Sequence, residues 1–429
     1  MTARMNAGMK GLGAAAAQPV KWAIGTQGGR PRLTRAIWIA LPIWVIIWLS
    51  ARLAVPPGPT EFGYWVVDYR FGFVRRGMAG EIADALGPHG YAILPWVCIA
   101  VFLAAIAAMA RAIFTYRGVD PAVRNGLAIV FILLPCSTLY GLMNARPELL
   151  GAALSITSTL ILRRTQTYSR ALVTSAGIGI VTLFLTLVHE AIALEFSLGF
   201  VLSFTVWAVR HDQSYRRLLG LLSAACLPGI LVALYFSATA GATRVAERFC
   251  AIGPAGRWRT PMLPGGSGDL RVWTCRLSTQ SLDLNASQAV QIVWTDRGWI
   301  ALGGSLGIVA LAVVVFALRS TDATRVPWDS IRPRHWVLAS AAAALYLPVF
   351  ATTVDTTRWF VLIAFDVAVG YVSAFLITGA EAGHTVPSAP RFVRIAILVL
   401  LVFPPLPASV VPLHPADLGG APVSSRRPG

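Results

Sequence analysis

Four short polar clusters interrupt an otherwise apolar chain, and three of them set acids beside arginines. The longest runs from Tyr64 to Glu81 and carries Asp68, Arg70, Arg75 and Arg76. The Arg75-Arg76 pair, set between Gly72 and Gly77, could grip an anionic phosphate, because guanidinium forks match phosphate oxygens. Asp68 could act as a general base or hold a divalent metal that binds a diphosphate. The plainer alternative is an interfacial segment whose arginines rest on lipid phosphates and whose aromatic rings suit the headgroup zone.

The second cluster is Asn144-Ala145-Arg146-Pro147-Glu148. Pro147 suits the first position of a helix, and Glu148 then lies where the helix dipole favours an acid. Capping alone would explain Glu148; Arg146 in a tight turn is harder to dismiss. The third cluster is His189-Glu190, with Glu195 close by. It lacks the second histidine of a metalloprotease helix, since position 193 is Ala193. A His and an acid at a helix boundary could transfer a proton or bind a metal, or could simply supply the polarity of a turn. The fourth, Thr353 to Trp359, contains Asp355 and Arg358, which could pair on one helical turn or face a ligand.

The elements that must position these residues are membrane helices. The chain has 429 residues, of which 56% are hydrophobic and 13% charged, about half the usual charged fraction. Apolar runs of roughly 17–25 residues, enough for one crossing each, place helices near 36–54, 91–113, 125–143, 147–162, 171–188, 191–209, 218–237, 299–318, 335–352, 359–378 and 392–411. The expected fold is all-α: a polytopic transmembrane helical bundle of about eleven helices, within a range of ten to twelve. A basic tail over 1–35 precedes the helical domain 36–411, which carries loops at 55–90 and 238–298, and a tail over 412–429 ends the chain. The first apolar run has no small-residue cleavage site where a signal peptide needs one, so it reads as a retained helix. Residues 171–209 are broken only by His189, Glu190 and Glu195; as one helix they would reach ~58 Å, twice the hydrocarbon thickness, so two helices are expected.

The net charge is +17, from 36 Lys+Arg against 19 Asp+Glu. The arginines gather in short segments between apolar runs (111–124, 163–170, 210–217, 319–334 and 381–394), the pattern of cytoplasmic loops rather than of a nucleic-acid surface. No nucleic-acid partner is therefore expected; the expected surroundings are membrane lipids. The N-terminus then lies in the cytoplasm of a cell membrane, and the Arg/Ala-rich usage suggests a bacterial inner membrane. All four polar clusters fall on the opposite, outer face. The 238–298 loop carries seven Arg against four Asp/Glu, which long translocated loops tolerate. Cys250 and Cys275 share that loop, so either a disulfide or two thiols is expected there. Their spacing argues against a zinc site.

Acids and arginines facing one membrane surface suit group transfer from a lipid-phosphate carrier. A carboxylate would deprotonate an acceptor hydroxyl, and an arginine or a carboxylate-bound metal would neutralise the departing phosphate. The arrangement resembles the C-type membrane glycosyltransferases, through an acid in the first outer loop (Asp68), further acids in short turns (Glu148, His189-Glu190) and a long loop at 238–298. That resemblance implies a polyprenyl-phosphate-linked sugar as donor, Asp68 as base or metal ligand, and Arg75 and Arg76 on the carrier phosphate. Here Asp68 is followed by Tyr69 rather than a second acid, which departs from the family's usual pattern. The candidate set is therefore Asp68, Glu148, His189, Glu190 and Asp355 for catalysis, with Arg70, Arg75, Arg76, Arg146 and Arg358 for phosphate. A divalent metal is left open. The competing expectation is a multi-pass transporter or lipid flippase, for which Asp366 and Glu195 are the best residues because they sit within apolar runs. A third is a non-enzymatic scaffold.

Overall fold

Lipid offers a peptide backbone no hydrogen-bond partner, so a spanning segment must close its own bonds as a helix. The computed structural model describes residues 30–54, 59–69, 73, 76–87, 89–117, 121–134, 137–239, 332–347 and 356–378, and among these it contains twelve helices and no strand. They are α1 (Arg30–Ala54), α2 (Pro59–Gly63), α3 (Gly77–Ala85), α4 (Gly90–Phe114), α5 (Pro121–Leu133), α6 (Thr138–Met143), α7 (Glu148–Leu162), α8 (Tyr168–Val188), α9 (Ile192–Arg210), α10 (Tyr215–Thr239), α11 (Pro333–Ala344) and α12 (Thr356–Thr378). Six stretches among the described residues are long and apolar enough to cross a bilayer: 90–114, 124–143, 168–188, 192–210, 215–236 and 359–378. The protein is a polytopic helical bundle.

The expected helices at 299–318 and 392–411, and the disulfide candidates Cys250 and Cys275, lie outside the described residues. The expected helix at 125–143 is instead two, α5 and α6. α5 ends at Leu133 and α6 begins at Thr138, and the sequence between them contains Pro135; a proline lacks the N–H a helix interior needs and disfavours helix in the residue before it. The expected division of 171–209 is present, with α8 ending at Val188 and α9 beginning at Ile192.

α9 is the central element. It packs against α7, α8, α10, α11 and α12, and buries Phe196, Phe200, Phe204 and Trp207 on successive turns. A helix apolar on every side must be enclosed. The outer helices differ: Ile39, Ile43 and Ile47 of α1, Val173 and Ile180 of α8, and Leu227, Leu231 and Leu234 of α10 are exposed. These rows are the surface that a hydrocarbon phase covers. Among the described residues, the loop after α1 is not open chain: Trp65, Val66, Val67 and Asp68 are buried. The backbone of Val67 and Asp68 lies against Gly80 of α3, where a side chain would collide.

Candidate functional site

At one end of the bundle, three sequence-distant stretches meet around the ring of Tyr64. The first is the entry to α3. Arg76 caps that helix in the left-handed region, at φ 65° and ψ 5°, a conformation that costs a non-glycine residue about 1 kcal/mol or more. It positions a guanidinium whose Nε and Nη2 donate to the two carboxylate oxygens of Glu190, at 3.2 and 3.0 Å. The pair is largely enclosed, with 13% and 16% of the two side chains exposed. Burial works against the charge on Arg76, but Glu190, Tyr64 and Glu148 more than offset it and raise its pKa.

The second stretch is the α8–α9 turn. His189 ends α8 in an extended conformation, and its Nδ1 accepts from the Ala191 N–H at 3.3 Å. That bond explains locally why two apolar helices separate here: the imidazole satisfies an N–H at the start of α9 that no intrahelical carbonyl reaches. It also assigns the ring proton to Nε2, which faces Glu148 Oε2 at 3.7 Å. Burial, with Arg76 and Arg146 adding to it against Glu190, lowers the His189 pKa to about 4. The imidazole is thus neutral near pH 7, and the approach to Glu148 is a dipole facing a carboxylate rather than an ion pair.

The third stretch is the turn into α7. Asn144 closes α6, its backbone N–H and its side chain both bonding the Tyr140 carbonyl. Pro147 then precedes α7, and Glu148 opens it, fully buried. Tyr140 donates its hydroxyl to Glu148 Oε1 at 2.9 Å. Tyr64 joins all three stretches. Its ring stacks on His189 at 5.2 Å, while the guanidinium carbons of Arg76 and Arg146 lie 4.7 and 5.7 Å from its centroid. Burial raises the Tyr64 pKa although both arginines pull it down, so the phenol stays neutral.

Of the expected site residues, Arg76, Arg146, Glu148, His189 and Glu190 come together here. Asp68 is fully buried beside α3. Arg70, Arg75 and Asp355 lie outside the described residues, as does the side chain of Arg358. Among the described residues, no three His, Cys, Asp or Glu side chains are grouped as metal ligands would be. The residues that the sequence did not single out are the tyrosines: Tyr64, Tyr140 and Tyr346. Each acts across a tertiary contact, and no local spacing marks it.

The family described as "Uncharacterised membrane protein Rv1490" matches residues 33–404. The chain belongs to the Rv1490 family. Its relatives include the uncharacterized proteins Rv1490 of Mycobacterium tuberculosis and Mb1527 of Mycobacterium bovis. Each is 29% identical over 399 residues, covering 86% of this chain and 90% of the relative. No solved structure matches. Every residue of the Tyr64 cluster falls within the stretch matched to the Rv1490 family.

Proposed function

We propose that this membrane protein transfers a sugar from a polyprenyl-phosphate carrier at the non-cytoplasmic face. The observation that carries the reading is the convergence of Arg76, Arg146, Glu148, His189 and Glu190 around Tyr64. The arginine-rich segments between apolar runs support a cytoplasmic N-terminus and, with it, an outward-facing cluster.

In this reading Glu148 is the base. The Tyr140 hydroxyl orients it at the N-terminus of α7, a position where a helix dipole suits an acid. It takes the proton of an acceptor hydroxyl as that oxygen bonds the sugar's anomeric carbon and the bond to the carrier phosphate breaks, with both electrons leaving on phosphate. Arg146 neutralises that phosphate, and the neutral His189 Nε2–H donates to it without adding charge. Arg76 has two N–H groups on Glu190, so its main work is holding the α3 entry against the α8–α9 turn.

The test is to replace Glu148 by Gln and Arg146 by Ala, with Asp68 and Arg75 variants alongside, and to profile lipid-linked sugars and surface glycan in cells. The expected result is an accumulated carrier-linked sugar with depleted glycan in the Glu148 and Arg146 variants. Profiles unchanged in all four variants would end the proposal. A second reading, transport, is favoured by one specific observation: Glu195 and Asp366 are completely buried within helices long enough to span.

A further inference from the structure

A carboxyl group inside a membrane span is costly and must face protein rather than lipid. Glu195 on α9 and Asp366 on α12 do so with no exposure at all. Arginine does not compensate them as it does Glu190. Among the described residues, neither Glu195 carboxylate oxygen nor Asp366 Oδ1 has a hydrogen-bond partner. The Gly199 N–H faces Asp366 without reaching hydrogen-bond geometry at Oδ1.

The Tyr346 hydroxyl lies 3.1 Å from Asp366 Oδ2 and also hydrogen-bonds the backbone carbonyl of Glu195. A phenol has one hydrogen to donate. The Glu195 carbonyl can only accept, and so can an ionised Asp366, so the single phenolic hydrogen would be divided between two acceptors. A proton on the carboxyl relieves that shortage.

The surroundings suit a proton rather than a fixed counter-ion. The titratable and charged groups acting on the pair are Glu148 on α7, Arg146 before it, Glu190 in the α8–α9 turn, Tyr140 on α6, Tyr346 after α11 and Cys226 on α10. Only Arg146 among these is a permanent cation. At Gly199 the missing side chain leaves room: a Cβ there would stand 2.6 Å from Asp366 Oδ1 and 2.7 Å from Ser155 Oγ. Beyond Ser155, whose buried hydroxyl has no hydrogen-bond partner among the described residues, the interior continues as hydroxyls. Thr159, Ser203 and Ser373 form a closed triangle with oxygens 2.8–3.1 Å apart.

We propose that Glu195 and Asp366 form an intramembrane proton-binding site in which the pair holds one exchangeable proton, hydrogen-bonded to Tyr346. The site goes beyond sugar transfer, and its test involves no sugar.

That test is infrared difference spectroscopy of the full chain in lipid vesicles at neutral pH, exchanged between H2O and D2O, with Asp366→Asn and Tyr346→Phe as variants. A protonated-carboxyl stretch that shifts in D2O, disappears in Asp366→Asn and moves in Tyr346→Phe is expected. The band should be indifferent to replacing choline chloride by sodium chloride. Absence of the band in the parent protein, or its persistence unmoved in both variants, would overturn the proposal. Loss of the band on adding sodium would also overturn it, in favour of a sodium site. If Asp366→Asn does not fold, Tyr346→Phe decides alone: an unmoved band counts against the site.

Discussion

At the α8–α9 turn, Glu190 faces a guanidinium at 3.0 Å and Glu148 receives a phenolic hydrogen at 2.9 Å. Between α9 and α12, Glu195 and Asp366 have one tyrosine between them and, among the described residues, no cation in contact. Both regions hold enclosed carboxyl groups, Glu190 at 16% exposure and Glu148, Glu195 and Asp366 fully buried, and they differ in the partners those groups meet. The first sets Glu190 against arginine and Glu148 against a phenol. The second leaves its acids to hydroxyls, which is workable in a low-dielectric interior only if a mobile cation joins them. Burial alone therefore says little about what a carboxyl does; the partner's chemistry decides it.

The sharpest way to break this contrast is to make the first region resemble the second. Arg76→Leu leaves Glu190 enclosed without its fork and is expected to cost about 3 kcal/mol or more, seen as a large fall in melting temperature in detergent. Arg76→Lys should fall between, because it keeps the charge but not the two-point geometry. An unaltered melting temperature in Arg76→Leu would mean the pair contributes nothing.

A nearly equal effect is expected from pH. His189 has a folded pKa of about 4 against an ordinary 6.5. Above pH 6.5 both folded and unfolded chains leave it neutral, so it contributes no pH dependence. As pH falls from 6.5 towards 4 the unfolded chain takes up a proton and the folded chain does not. Stability should then drop by about 3 kcal/mol in total, with no further loss from this group below pH 4. Melting temperatures across that range should be flatter in His189→Gln than in the parent; equal slopes would show that another group controls the acid limb.

In the second region, Gly199→Ala places a methyl against Asp366 Oδ1 and Ser155 Oγ. A loss of about 2 kcal/mol is expected from overpacking, and no loss would mean that the interior is looser than drawn. Smallest of all, Ser203→Ala removes one corner of the hydroxyl triangle and should cost about 1 kcal/mol. Thermal unfolding distinguishes these two from each other and from the Arg76 series.

Sequence made some of this contrast visible and hid the rest for a physical reason. Among the described residues most helix positions followed from apolar length, and the α8–α9 break from a polar pair where a single helix would have been too long. His189 and Glu190 were legible because polarity inside an apolar run is expensive. Glu148 was legible because Pro147 precedes it at a helix start. Tyr64, Tyr140 and Tyr346 were not, since an aromatic residue at a membrane boundary is common and its hydroxyl partner lies on another element. Nor did the sequence reveal that Arg76 is matched to Glu190, which lies 114 residues away. The division of 125–143 into α5 and α6 was available in Pro135, yet the apolar run around it was long enough to mask the break.

The central claim is that group transfer belongs to the Glu148 end and proton binding to the Asp366 interior. It is tested most directly by consumption of a polyprenyl-phosphate sugar by the full chain in nanodiscs, comparing Glu148→Gln with Asp366→Asn. Glu148→Gln should slow turnover by roughly 10²–10⁴-fold, as loss of a general base does, while Asp366→Asn stays within a few-fold of the parent. Full turnover in Glu148→Gln, or its loss in Asp366→Asn alone, would contradict the account.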